Sequence, residues 1–187
     1  MTYYIKGIKL KDLMYQLFAD YRNTIIFLHI ISAVIWVGGM ITIRFAVHQS
    51  CAMIADPRMR MERAVHTLGR LFTMVWPFVL VLIVTAVIMA VGLGFRAAAL
   101  DAAGNVIDDY AMSLYQTVHI KEAIWMIMAI NLGVMMYRRG QAKKALLADN
   151  LERAKAMLTP IAQYLVPLNI VLGVIAIFMG VVLRNAY

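Results

Sequence analysis

Between Arg22 and Arg44 the chain carries no charged residue, and the twenty-one residues 23–43 are long enough, as a helix, to cross a bilayer's hydrocarbon core. Two further runs, residues 71–95 and 156–183, are uncharged and at least as long. Within a bilayer core the backbone must satisfy its own hydrogen bonds, so runs of this kind have to be helices. A fourth segment, residues 115–137, is uncharged except for Lys121 and Glu122, which stand with His119 near its start. Its uncharged remainder, 123–137, is short for a crossing, so either the bilayer takes in the charged group or the helix dips only part way before it. Composition agrees: 63% of residues are hydrophobic, 15% are charged, and the mean hydropathy is +0.77, far above a soluble domain. The expected fold is all-α, a four-helix transmembrane bundle. Its spans fall at about residues 24–47, 71–95, 115–137 and 161–183, within one membrane domain over 23–187.

Residues 1–22 form a separate segment. Leu10, Leu13, Met14, Leu17, Phe18 and Tyr21 recur at helical spacing while Lys9, Lys11, Asp12 and Asp20 fall mostly on other faces. That pattern predicts an amphipathic helix on the membrane surface. Asp56-Pro57 reads as a helix start in water, with Pro77 as a kink further along. Gly104-Asn105 marks a turn in the acidic stretch 96–112. The spacing Asp149-Asn150-Leu151-Glu152 predicts a capping box before the last helix, in which Pro160 and Pro167 are local irregularities.

The formal charge of +8 resembles a nucleic-acid signal until its location is read. The basic residues flank the spans, where the positive-inside rule accounts for them without nucleic acid. The two loops at one end, between spans one and two and between spans three and four, carry ten of them. The other end has Lys6, Lys9, Lys11, Arg22, Arg96 and Arg184. This places the basic loops in the cytoplasm and both termini outside a bacterial-type inner membrane. No cleavable signal peptide is expected, since residues 1–22 are too polar. The single cysteine, Cys51, excludes an internal disulfide and any CxxC motif.

A histidine at membrane depth is costly unless something uses it, and His29 lies about two turns into span one. Ser32, Ala33, Trp36, Gly39 and Met40 follow on its face, and the small ones leave room for another backbone or for a flat ligand closed off by Trp36. His119 comes about one turn into span three, which runs in the same direction, so the two rings are expected at similar depth. Two imidazoles facing across a bundle can hold haem b iron, and His29 and His119 are the candidate axial ligands. The alternative is a pair of buried histidines bonding between helices. Lys121 is a candidate for proton handling or for a carboxylate such as a haem propionate; the alternative is a snorkelling lysine with Glu122 compensating it. Arg44, His48 and His66 offer a lesser site at the other end. The fifteen methionines are scattered and lack the clustering of a copper site.

The run LHIISAVIWVGG, residues 28–39, resembles the first span of the HemJ-type protoporphyrinogen IX oxidases, and equally the opening of copper-resistance protein D (CopD) membrane domains. VHIKEAIW, residues 118–125, resembles the histidine–lysine segment of the HemJ-type third span. MER at 61–63, followed by a proline in the next span, is a looser similarity. The resemblance implies a four-helix membrane protein that binds haem b and oxidises a porphyrinogen with quinone or another acceptor. His29, His119 and Lys121 stand at the family's histidine, histidine and lysine positions. The family's P-R pair at the close of span one is absent, since Ile43 precedes Arg44. The competing expectations are a CopD-like copper-handling protein, with His29 and methionines as soft ligands, and a structural subunit of a larger membrane complex. The expected partners are the lipid bilayer, porphyrin and quinone, and a second copy in a homo-oligomer.

Overall fold

A computed structural model of the chain describes residues 10–184. Their regular structure is helical throughout, with one isolated bridge between Leu100 and Val106. Helix α1, Leu10–Thr42, is broken at Tyr21 (φ −122°, ψ 26°), so the segment before it and the first apolar run are two rods meeting at that residue. Residues 1–9 of the expected amphipathic segment lie outside the described residues. In the remainder Phe18 is buried, whereas Leu10, Leu13 and Tyr21 are exposed. A π-helical turn, Ile43–Val47, leads into α2, His48–Ala52.

Helix α3, Pro57–Gly92, starts where the Asp-Pro pair predicted: the Asp56 carboxylate accepts from the Arg58 N–H at 2.8 Å. Pro77 stands inside α3 without ending it. Gly94, at φ +67°, turns the chain into the short α4, Phe95–Ala99. The expected turn at Gly104-Asn105 is present. The Asp101 carboxylate accepts from the side chain and backbone of Asn105, which together hold it below the usual carboxylate range. Helix α5, Asp109–Leu147, is capped by Asp108. Helix α6, Leu151–Pro160, is followed by a second π-helical turn, Ile161–Leu165, and by α7, Val166–Arg184. Its cap is Asn150, which accepts from the Arg153 N–H at 2.9 Å, and not the Asp149 of the expected capping box. Asp149 has φ +56° and ion-pairs with Arg58, so the turn conformation displaces the cap by one residue.

Four continuous helical stretches, Leu10–Ala52, Pro57–Ala99, Asp109–Leu147 and Leu151–Arg184, are long and apolar enough to cross a membrane by length and composition. Their long helices pack in a ring: α1 against α3, α3 against α5, α5 against α7, and α7 back against α1. The main core runs up the ring's interior through Trp36, Met40, Val75, Val79, Leu82, Met128, Leu132, Met135 and Ile161. A smaller cluster, Phe95, Leu114 and Leu183, closes the end that bears α4, the start of α5 and the end of α7. Buried Asn131 on α5 donates to the Leu165 carbonyl (2.8 Å) and to Asn169 Oδ1 on α7 (2.7 Å), which fixes the register of those helices.

Candidate functional site

Between the main core and the small end cluster the interior turns polar. Thr85 of α3 is buried there, and its hydroxyl lies 2.8 Å from the Val81 carbonyl and 3.0 Å from that of Leu82, one turn back on its own helix. A threonine hydroxyl has a single proton, and these carbonyls take it. What remains on the oxygen is acceptor capacity, and His29 Nδ1 lies 3.0 Å away from it. With that proton on a carbonyl, the imidazole donates from Nδ1 toward α3, where it also has the Leu82 backbone as a partner, and in its neutral form it keeps a lone pair on Nε2. An orienting bond on one ring nitrogen that frees the other is how proteins hold a metal-binding histidine.

Lys121 reaches this layer from α5. Its side chain is half-buried, its Nζ lies against the Gly180 backbone of α7, and it is within electrostatic reach of His29. A Cβ at residue 180 would sit 3.0 Å from that nitrogen, so the glycine makes the space into which the ammonium extends. Lys121 has no hydrogen-bond or ion-pair partner among the described residues. One turn along α5, Trp125 packs against the main core, in which Trp36 is 1% exposed. The indole N–H groups of both tryptophans are buried and have no acceptor. The interior thus offers several donors beyond the acceptors available to it. A ligand rich in carboxylate or carbonyl oxygens is the chemistry that would complete them.

The other predicted residues are placed differently. His119 is on α5, diagonal to α1 in the ring, and is 53% exposed on the outer surface. Its Nδ1 lies 3.0 Å from Glu122 Oε2, and its ring meets Tyr115 edge-on. The structure does not bring His119 and His29 together: one faces α3, the other the exterior. Gly39 is used for close packing, since a Cβ there would lie 2.8 Å from Leu71 Cδ1. The buried Ser32 spends its hydroxyl on the Leu28 carbonyl at 2.6 Å. At the far end His48 and His66 are both exposed. No three His, Cys, Asp or Glu side chains among the described residues are grouped to hold a metal ion.

For haem, the donor set fits in part. An imidazole oriented by Thr85 and an unpaired ammonium would suit one bond to a haem iron and one propionate. A second axial bond from His119 of the same chain does not fit this arrangement of helices.

Sequence reasoning missed Thr85, which resembles any other threonine in an apolar run. Its only signal was being one of few polar residues in residues 71–95. Comparison with family models, characterised proteins and solved structures found no match.

Proposed function

We propose that this chain is an integral membrane b-haem protein, a four-helix transmembrane bundle with residues 1–22 as a surface segment. Both termini lie outside a bacterial-type inner membrane. Its most concrete activity is oxidation of a porphyrinogen with quinone as acceptor, as the likeness of residues 28–39 and 118–125 to the HemJ-type oxidases implies. The observation that carries this is the His29–Thr85 bond beside an unpaired Lys121, in an apolar interior where neither group is tolerated without a use.

In this proposal His29 would hold the haem iron through Nε2, and Thr85 would fix the ring's tautomer and direction. Lys121 binds a carboxylate of the porphyrin and moves no proton while so engaged. Trp36 and Trp125 supply N–H donors to an acceptor oxygen of a bound porphyrin or quinone. The apolar clusters on either side exclude water from the polar layer. Bound haem supplies one-electron redox chemistry between reductant and acceptor. A copper site has less support, because His29 has no His, Cys, Asp or Glu grouped with it as co-ligands.

Reduced-minus-oxidised spectra of the purified protein test the cofactor, and complementation of a porphyrinogen-oxidase-deficient strain tests the activity. Haem with no complementation leaves a cytochrome of another role. Protein with no haem, in cells supplied with it, ends the proposal.

A further inference from the structure

Ionisable side chains within membrane spans almost always face the interior of a bundle or a water-filled cavity. His119 and Glu122 do neither. They lie three to four turns into the 39-residue α5, and their side chains are 53% and 55% exposed on its outer face. Their mutual bond uses His119 Nδ1 and Glu122 Oε2. His119 Nε2 and the second carboxylate oxygen have no partner among the described residues.

From His119 the outer face continues at alternating steps of four and three: Ala123, Met126, Ile130, Gly133, Tyr137 and Gly140. The first five of these are exposed, and Gly140 is half-exposed. This is the spacing of a left-handed helix–helix seam, sustained over three heptads. Gly133 and Gly140 have nothing within 4 Å of where a Cβ would stand, while Met126, Ile130 and Tyr137 project between the small positions. The open places at Gly133 and Gly140 thus lie on one line with the knobs, on either side of Tyr137.

We infer that a second copy of this chain packs along the outer face of α5, so that His119 and Glu122 of one copy meet Glu122 and His119 of the other. The occupant follows from charge and symmetry. The patch carries a base and an acid within one helical turn, so it is complementary to itself. A two-fold axis along the helix direction keeps both copies at one depth, as a membrane requires, and brings each base opposite the other copy's acid. With the imidazoles protonated, each ring donates from Nδ1 to its own Glu122 and from Nε2 to Glu122 of the second copy. The closed ring of four groups then has no net charge to expose to lipid.

The test uses the full chain with Cys51→Ser, reconstituted in bilayer nanodiscs large enough for two copies. A cysteine at Ile130, on the seam, should give oxidative dimers at least tenfold faster than one at Phe178, which is equally exposed on α7. Mass measurement should find two copies per disc. His119→Glu, which sets like charges against each other, should lower the dimer fraction tenfold or more, and the exchanged pair His119→Glu with Glu122→His should restore it. Equal cross-linking at the two positions, or one copy per disc, overturns the inference. So does an unlike protein co-purifying in place of the second copy, or no rescue by the exchanged pair when both variants retain native helicity.

Discussion

A single hydroxyl decides what His29 can do. With the Thr85 proton spent on its own helix, the imidazole donates from Nδ1, and any bond to iron falls to Nε2. Thr85→Val keeps the side chain's shape and removes the acceptor. Loss of such an orienting partner weakens metal binding by about ten- to a hundred-fold. Haem titration should show a loss of that order in Thr85→Val, complete loss in His29→Ala, and little change in His48→Ala or His66→Ala. Unchanged affinity in Thr85→Val, with loss in His48→Ala, would move the site to the opposite end. Two glycines provide a stability contrast at the same scale. A Cβ on Gly92 would stand 2.5 Å from Phe18 Cβ, an atom too near its backbone to swing aside, whereas Gly38 has nothing within 4 Å. Gly92→Ala should cost about 1–3 kcal/mol through overpacking. Gly38→Ala should gain up to about 1 kcal/mol from helix propensity. Thermal unfolding in detergent reads both, and the reverse order would contradict the packing of α1 on α3.

Interrupted helices here recruit their own repairs. Pro160 has no N–H, so the Ala156 carbonyl four residues earlier loses its helical donor. The Ile161 N–H bonds to the Leu158 carbonyl and not to that of Met157. Arg138 of α5 donates to both carbonyls, from Nη2 to Ala156 O at 2.9 Å and from Nε to Met157 O at 3.2 Å. Arg138→Met should therefore destabilise the α5–α6 hairpin by about 1–3 kcal/mol. Adding Pro160→Ala returns a donor to Ala156, so the two changes together should cost less than their sum, in a double-mutant cycle read by unfolding. Strict additivity would show that the arginine acts elsewhere. The positions of such irregularities were legible in the sequence: Asp56-Pro57 and Gly104-Asn105 stand where their local chemistry requires. The π-helical form after Pro160 was not legible, because it depends on a donor from another helix. The Asn150 cap was misplaced by one residue for a similar reason, since Asp149 is drawn away to Arg58.

At the level of the whole chain, apolar length alone located four long helices, because spans of this kind are set by one-dimensional chemistry. The candidate site was only half legible. The face of α1 that bears His29 could be read from helical spacing, and so could the separation of Lys121 from the face of His119 and Glu122. Which helix stands opposite which could not, since ring order comes from packing between helices and not from any one of them. Hence His29 was expected to face His119 across the bundle, and instead it bonds to Thr85 on α3. Depth and side depend less on that order. Helix α5, with 39 residues, is about 58 Å long and can carry Asp108 and Ala148 to opposite surfaces of a bilayer about 30 Å thick at its core. The loops beyond Ala148 and before α3 hold most of the basic residues, and the proposed orientation sets them on the cytoplasmic side. In a Cys51→Ser background, Asp108→Cys should react with a membrane-impermeant maleimide in intact spheroplasts. Ala148→Cys should react only after the membrane is opened. Labelling of both positions from one side would mean that α5 does not cross, and with it would fall the even number of spans that puts the two termini together. Labelling of Ala148→Cys alone from outside would keep the four spans and invert them, leaving the common depth of His29 and Lys121 intact but moving their layer to the cytoplasmic half.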